Sequence, residues 1–226
     1  ITDTKAYEKL TPKEIIAFSS QVGASKIALK LGYDNLKNNY YDFGFSKPIS
    51  INFPSAAFGL MNVKESVSDR ELASLGYGYG FTVSPFQITA AYSTFANSGI
   101  RKDFKLLMND EVTSQRIISK LSAKHTLEAL QKVVKIGTGK KADISGFTEG
   151  GKTGTVHRTI FGEGYADDLY RASFVGIAPL KEESLTIFVS IEDPGLNAYS
   201  GGMIAAPLFA KIAESSLNYL GYQKDD

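Results

Sequence analysis

The sequence contains no cysteine and only two histidines, His125 and His157. The lack of cysteine excludes disulfides, thiolate metal sites and a cysteine nucleophile. The scarcity of histidine excludes a metal site built from several imidazoles. The 25 basic and 24 acidic side chains leave a formal net charge of +1. That charge creates no field for steering nucleic acid, so no nucleic-acid partner is predicted. No apolar run approaches the roughly 18 to 20 residues needed to span a bilayer.

Two strong helix-start signals stand out in the first half of the 226 residues. Residues 11–14 (TPKE) and 84–87 (SPFQ) each combine a capping side chain, a proline at the first helical position and a capping-box partner. The first apolar pattern continues to Gly32, but polar residues 19–21 interrupt it, so we predict two helices that meet there. The second pattern ends at Gly99, which predicts one helix.

The remaining chain predicts a mixed fold. Residues 33–80 are rich in glycine, asparagine, serine, tyrosine and proline and are predicted to be irregular chain with short elements. A helix is expected over 122–137, and alternating strands are expected over 170–178 and 184–192, joined as an antiparallel hairpin. A last helix is expected from about 203 to 220. This order predicts an α+β architecture in which helices cover an antiparallel sheet.

The sharpest local motif, residues 146–155 (GFTEGGKTGT), supports two incompatible interpretations. Residues 146–153 match the G-x-x-x-x-G-K-[ST] pattern of a phosphate-binding loop, which would make the chain a nucleotide-binding domain. That pattern works only between a buried strand and a helix N-terminus. Residues 140–145 are not apolar, and residues 154–160 contain β-branched residues without a helix pattern. The nucleotide interpretation is therefore kept only as a remote alternative.

The second interpretation is a strand-borne Lys-Thr-Gly triplet at residues 152–154. A lysine on an edge strand can hold a substrate carboxylate and help proton transfer, while glycine lets a substrate backbone approach closely. A following backbone N–H can stabilise an oxyanion. Such a triplet is one of three elements found in penicillin-interacting serine enzymes. Taken alone, three residues are more simply a turn with an exposed lysine.

Further segments make the chain resemble the transpeptidase domain of class B penicillin-binding proteins, over essentially its whole length. The resemblance is greatest to division-specific peptidoglycan D,D-transpeptidases of the penicillin-binding protein 3 type. Four segments carry it in the family order: residues 19–26 (SSQVGASK), 78–87 (GYGFTVSPFQ), 151–155 (GKTGT), and 193–194 (DP) with 199–207 (YSGGMIAAP). The resemblance implies the penicillin-binding or serine β-lactamase-like fold.

This resemblance assigns roles to a serine and a glutamine between the first two predicted helices. Ser19 matches the serine of the family's S-x-N motif and is expected to be catalytic. Gln21 stands where the family has asparagine and is expected to bind substrate. Glutamine keeps the amide donor and acceptor but adds one methylene. The reach of this side chain toward a ligand is therefore expected to change by about one bond length.

The Lys-Thr-Gly-Thr string carries the other implied site residues. Lys152 is expected to be catalytic through electrostatic support and proton relay. Thr153, Gly154 and Thr155 are expected to bind substrate, with the two hydroxyls bonding to a carboxylate. The Thr155 backbone N–H is also expected to be catalytic, as an oxyanion donor; removing one such donor typically slows a reaction about 10²- to 10³-fold.

The resemblance also implies a nucleophile that these 226 residues do not contain. No serine in the sequence has a lysine three residues later, whereas the family's S-x-x-K motif precedes its S-x-N motif by some tens of residues. We therefore expect residues 1–226 to be the C-terminal portion of a transpeptidase domain, incomplete on its N-terminal side. We expect this chain alone to be inactive, because acyl transfer needs the activated serine.

The implied activity is cross-linking of peptidoglycan stem peptides through a serine acyl-enzyme during septal cell-wall synthesis. The implied partners are the D-Ala-D-Ala end of a stem peptide, β-lactam antibiotics and, in the full-length protein, division membrane proteins. No metal or cofactor is implied. The expected location is the periplasmic face of the bacterial inner membrane, through an N-terminal anchor outside this sequence. The alternatives in the same fold are a β-lactam sensor, a β-lactamase-like protein and a non-catalytic division scaffold.

Overall fold

The computed structural model describes residues 1–49, 51, 53, 56–160, 164–181 and 183–225, in two compact units, Ile1–His125 and Thr126–Asp226. The helices are α1 (Pro12–Phe18), α2 (Gln21–Leu31), α3 (Tyr33–Asp42), α4 (Asp69–Gly76), α5 (Pro85–Ala96), α6 (Lys120–Lys135) and α7 (Ala205–Tyr219). The strands are β1 (Ile100–Lys102), β2 (Ser114–Arg116), β3 (Gly150–Ile160), β4 (Gly164–Ala178) and β5 (Leu185–Glu192). Short 3-10 helices cover Lys140–Ala142 and Leu196–Ala198.

The predicted start signals define helices in the N-terminal unit. Thr11 caps α1, and the Glu14 carboxylate accepts from the Thr11 backbone N–H at 2.8 Å. Ser84 caps α5, and the buried Gln87 accepts from the Ser84 N–H at 2.9 Å. Ser19 is the C-cap of α1, and its backbone adopts the left-handed conformation with φ of 56°. Two helices therefore meet at residues 19–21, as predicted.

Residues 33–80, predicted as irregular chain with short elements, contain two helices whose positions were not predicted from the sequence. The structure has α3 directly after Gly32 and α4 over Asp69–Gly76. Ser68 caps α4 and forms a complete capping box with Glu71, and the helix buries Leu72, Ala73 and Leu75. α4 packs closely on α2, because a Cβ at Gly76 would lie 2.5 Å from the Ala28 Cβ. α4 therefore forms because burial and capping outweigh a weakly helical composition, whereas α3 has neither a side-chain cap nor a fully buried residue.

The C-terminal unit contains a three-stranded antiparallel sheet in the order β3-β4-β5. β4 and β5 form the predicted hairpin, with Ala178 opposite Leu185 and Arg171 opposite Glu192. β3 pairs with β4 from Gly150 opposite Ile177 onward, with a register shift between His157 and Thr159. Among the described strands of this sheet, β3 is an edge strand, so it can present backbone groups to a ligand.

α7 forms the core of this unit against the sheet. Ala205, Phe209, Ala213 and Leu217 repeat every four residues and are fully buried. The Phe209 ring lies 4.9 Å from that of Phe174 on β4. The other buried members of the core are Val134, Ala142, Ile144, Phe147, Ala178, Val189 and Ala206. The α+β class predicted from the sequence is confirmed, and the core supports the strand that carries the Lys-Thr-Gly-Thr string.

Candidate active site

The Lys-Thr-Gly-Thr string lies on β3, with Lys152 opposite Val175 and Thr155 opposite Ala172 of β4. Lys152 is half-buried. Its ammonium group donates to the Thr153 carbonyl at 2.9 Å and makes a longer contact of 3.4 Å to the Thr153 hydroxyl. Burial lowers the pKa of Lys152 to about 8, because removal from water disfavours the charged form. Near neutral pH this amine can therefore both accept and release a proton.

Each hydroxyl of the string is held by a group from outside β3. The Thr153 and Thr138 hydroxyl oxygens lie 2.7 Å apart in a hydrogen bond. The Gly201 N–H donates to Thr155 Oγ1 at 3.0 Å. Because Thr155 accepts this bond, its own hydroxyl proton can be donated elsewhere. Thr138 and Gly201 were not predicted as site residues, although Gly201 belongs to the Tyr-x-Gly-Gly segment.

Glycines allow two backbones to meet at this string. A Cβ at Gly154 would lie 2.5 Å from the Ser173 hydroxyl oxygen. A Cβ at Gly201 would overlap the carbonyl oxygens of both Ser173 and Gly154. A Cβ at Gly202 would overlap the Thr138 carbonyl oxygen. The Gly-Gly pair thus brings its loop against β3, where the Gly201 N–H reaches Thr155.

The phosphate-binding interpretation of residues 146–153 is not favoured by this geometry. Lys152 and Thr153 lie within the strand Gly150–Ile160, whereas a phosphate-binding loop would place them at the start of a helix. The residues before the loop form the short 3-10 helix Lys140–Ala142 rather than a buried strand. The lysine therefore extends from a sheet edge, as the Lys-Thr-Gly interpretation requires.

Ser19, Ser20 and Gln21 form the turn between α1 and α2 in the N-terminal unit. Ser20 is 4 % exposed and caps α2 by accepting from the Gly23 N–H at 2.9 Å. Its hydroxyl donates to Asp3 Oδ2 at 2.6 Å. Ser19 and Gln21 are exposed. The buried middle serine is therefore structural, while its two neighbours face solvent, where a ligand can contact them.

Asp3 holds this turn and was not predicted from the sequence. Its second carboxylate oxygen accepts from the Val22 N–H at 3.1 Å. Burial alone would raise the pKa of Asp3, but hydrogen bonds from Ser20, Val22 and Gln21 together lower it. The carboxylate also lies at the N-terminus of α2, where a negative charge is stabilised. Asp3 stays charged at neutral pH and fixes the first turn of α2.

A buried carboxylate precedes the Lys-Thr-Gly-Thr string. Glu149 is fully buried, and its Oε2 accepts from the Ile144 N–H at 3.2 Å. Its Oε1 has no hydrogen-bond partner among the described residues, and the Lys135 ammonium lies 3.6 Å away. Lys135 also bonds to the exposed Asp143 at 2.8 Å. Burial raises the pKa of Glu149, and the charge of Lys135 offsets that shift only in part.

The structure places the predicted site residues in two groups. Lys152, Thr153, Gly154 and Thr155 are consecutive on β3 in the C-terminal unit, and residues 19–21 lie in the N-terminal unit.

The described part of the chain has no cluster of three or more histidine and acidic side chains that could hold a metal ion. Within the same described residues, every helix is too short or too polar to cross a membrane.

We expect Lys152 to titrate near pH 8, far below the ordinary lysine value of 10.5. Because the folded pKa is the lower one, this group should make the folded state more stable as pH rises from about 8 to about 10.5. NMR of ¹³C-methylated lysines should show one resonance with a midpoint near 8 that disappears in Lys152→Arg. A Lys152 midpoint near 10.5 would contradict the burial argument.

A sequence profile of the family described as "Penicillin binding protein transpeptidase domain" matches residues 1–214. The chain therefore belongs to the transpeptidase domain family of penicillin-binding proteins, as the four sequence segments predicted. It is similar in structure to the transpeptidase domain of penicillin-binding protein 3 from Burkholderia pseudomallei, with a TM-score of 0.92 and 32 % identity. That match covers 100 % of this chain and 69 % of the other.

Two of the curated relatives are named as peptidoglycan D,D-transpeptidases. The chain is 33 % identical to "Probable peptidoglycan D,D-transpeptidase PbpC" of Pseudomonas aeruginosa, over 100 % of this chain and 40 % of the relative. It is 31 % identical to "Peptidoglycan D,D-transpeptidase FtsI" of Buchnera aphidicola subsp. Schizaphis graminum, again over 100 % of this chain and 40 % of the relative. The chain thus spans about two fifths of the length of these relatives.

Proposed function

We propose that this chain is the C-terminal portion of a peptidoglycan D,D-transpeptidase that cross-links stem peptides during septal cell-wall synthesis. The observation that carries the proposal is the half-buried Lys152 amine, with a pKa of about 8, on an edge strand beside the Thr153 and Thr155 hydroxyls. Each of these hydroxyls is fixed by a hydrogen bond to a group outside the strand. The relatives named FtsI and penicillin-binding protein 3 support it. Their names do not favour a β-lactam sensor, a β-lactamase or a scaffold.

In the proposed reaction the nucleophile is a serine outside these 226 residues, because no serine here has a lysine three positions later. The serine oxygen bonds to the carbonyl carbon of the penultimate D-Ala, and its proton goes to a base. The bond from that carbon to the terminal D-Ala nitrogen breaks, and D-Ala leaves with a proton. The nitrogen of an amine on a second stem peptide then bonds to the same carbonyl carbon, the bond from that carbon to the serine oxygen breaks, and a proton from the amine returns to the serine.

The chain's own residues would bind and orient the acyl donor. Lys152 would attract the terminal carboxylate and relay protons, since its two protonation states are close in energy near neutral pH. The hydroxyls of Thr153 and Thr155 would donate to that carboxylate. The Thr155 N–H would donate to the oxyanion. Gly154 carries no side chain and would let the donor backbone lie against β3.

Ser19 and Gln21 of the S-x-N turn would also act on the acyl donor. Ser19 would take part in proton transfer, and the Gln21 amide would bond to the acyl side chain of the donor. Asp3 and Ser20 support this assignment, because they fix the turn through the 2.6 Å and 3.1 Å hydrogen bonds to Asp3. A fixed turn keeps both exposed side chains near one geometry, which is what a binding site needs.

The proposed activity also implies the ligands of the complete protein and its location in the cell. The ligands would be the D-Ala-D-Ala end of a stem peptide and β-lactams, which mimic it and acylate the same serine. The complete protein would act at the periplasmic face of the inner membrane, held by an anchor outside these residues, and would contact membrane proteins of the division machinery. No metal or cofactor enters the proposed reaction.

Labelled penicillin tests this function. The complete protein should form a stable covalent adduct on the serine of a Ser-x-x-Lys motif, and the 226-residue chain alone should form none. The complete protein should also release D-Ala from a stem peptide that ends in D-Ala-D-Ala, but not from the same peptide ending in L-Ala. An adduct on Ser19, or a complete protein that neither binds penicillin nor releases D-Ala, would contradict the proposed function.

A further inference from the structure

Thr138 lies in the turn after α6 and contacts the Lys-Thr-Gly-Thr string without belonging to it. The turn is fixed by its own backbone, because the Gly139 N–H donates to the Val133 carbonyl at 2.9 Å. Gly139 also packs tightly, since a Cβ there would lie 3.0 Å from the Phe174 ring and from the Val133 side chain. Thr138 is therefore an exposed side chain on a rigid backbone.

The hydrogen bonds around Thr153 determine which way its hydroxyl proton points. The Thr153 oxygen lies 2.7 Å from the Thr138 oxygen and 3.4 Å from the Lys152 amine. An ammonium group has donors only, so in this long contact the protonated Lys152 can act only as the donor. When Thr138 also donates, both lone pairs of the Thr153 oxygen are used. The single proton of Thr153 then points toward a third group.

The contact to Lys152 alone is too long to impose this arrangement. A separation of 3.4 Å between Lys152 Nζ and Thr153 Oγ1 lies beyond the usual range for a nitrogen donor, whereas the 2.7 Å to Thr138 is typical of two hydroxyls. Without Thr138, the Thr153 hydroxyl can rotate and direct its proton toward solvent. A hydroxyl whose proton points to water must reorient before it donates to a carboxylate, which weakens binding.

We infer that Thr138 is a positioning residue that orients the Thr153 hydroxyl as a donor to a ligand carboxylate. This inference rests on the proposed function, in which Thr153 binds the carboxylate of the acyl donor. It adds to that site a residue from outside its sequence motifs. The expected effect is that of one neutral hydrogen bond, or about tenfold in ligand capture.

The test compares two substitutions and two ligands in the complete protein. Thr138→Val should slow acylation by a penicillin with a free carboxylate about tenfold, and Thr138→Ser should restore the rate because it keeps the hydroxyl. With the penicillin methyl ester, which has no carboxylate charge, Thr138→Val should acylate at the wild-type rate. Thr186→Val, a matched loss of a hydroxyl on β5, should change neither rate.

The possible results separate the inference from the proposed function. An equal loss with the acid and the ester would mean that Thr138 acts on the fold rather than on the carboxylate, and no loss with the acid would also overturn the inference. Wild-type protein that is not acylated, or that does not distinguish the acid from the ester, would instead overturn the proposed function. Thermal unfolding of the Thr138→Val protein should match the wild type, because the side chain is exposed.

Discussion

Lys152→Met is expected to slow penicillin acylation of the complete protein by about 10²- to 10⁴-fold, the usual range for losing a general acid or base. Methionine has a similar length but neither charge nor proton, so the carboxylate loses its ammonium partner and the reaction loses a proton carrier. The acylation rate constant, measured with a labelled penicillin, gives the effect directly. The free energy of unfolding should not fall, because burial already disfavours the charged amine.

Lys141→Met is the matched control for this substitution. Lys141 is an exposed lysine in the short 3-10 helix Lys140–Ala142, a few residues before β3. Its replacement removes the same charge from the same unit and should leave acylation within about twofold of the wild type. If both variants lose activity equally, general electrostatics rather than the position of Lys152 explains the loss. A fully active Lys152→Met protein would remove this lysine from the mechanism.

The elements that the sequence predicts well are those with a complete local signal. The capping boxes at Thr11 and Ser84 involve side chains three residues apart, so local physics alone determines where α1 and α5 begin. The alternation over residues 184–192 likewise predicts β5 within one residue. Such signals need no knowledge of the tertiary fold.

The positions of α3 and α4 were not predicted from the sequence, and the reason differs between the two helices. The signal for α4 was available, because Ser68 and Glu71 form the same capping box and Leu72 follows directly. The glycine- and tyrosine-rich segment that begins at the last residue of α4, residues 76–80 (GYGYG), obscured that pattern. α3 had no such signal: it starts without a side-chain cap and buries none of its residues completely. Its helical state depends on tertiary contacts that composition does not record.

The candidate site likewise contains residues that a local sequence motif locates and residues that only the tertiary fold brings to it. The residues of Lys-Thr-Gly-Thr are consecutive, so a motif suffices to locate them. Thr138 is 15 residues from Thr153, and Gly201 is 46 residues from Thr155. Folding brings these partners together, and each contributes one common polar group without a distinctive sequence context. Only the folded geometry therefore shows what holds the site.

Lys135→Met is expected to lower the free energy of unfolding by about 3 kcal/mol near pH 7, because it leaves the buried Glu149 carboxylate without a counter-charge. Glu149 is fully buried, and its Oε1 lies 3.6 Å from the Lys135 ammonium. The lysine itself is half exposed, so removing it relieves little desolvation. Urea unfolding of wild-type and variant chains at fixed pH measures the difference.

The pH dependence identifies the carboxylate as the cause. Burial holds the folded pKa of Glu149 above its ordinary value of 4.5. For such a group the folded state binds a proton more readily, so its stability contribution is complete below about pH 4.5 and declines as pH rises through the folded pKa. Removing Lys135 raises that pKa further. The cost of Lys135→Met should therefore shrink as the pH is lowered, when Glu149 becomes neutral.

Glu149→Gln completes a double-mutant cycle around this pair. The amide has nearly the same shape and no charge, so it should remove most of the penalty of Lys135→Met, leaving less than about 1 kcal/mol. That remainder would be the exposed bridge from Lys135 to Asp143, which Asp143→Asn removes separately. If Lys135→Met costs the same in the Glu149→Gln protein as in the wild type, the lysine stabilises α6 by packing its methylenes. The buried charge before β3 would then have no part in its stability.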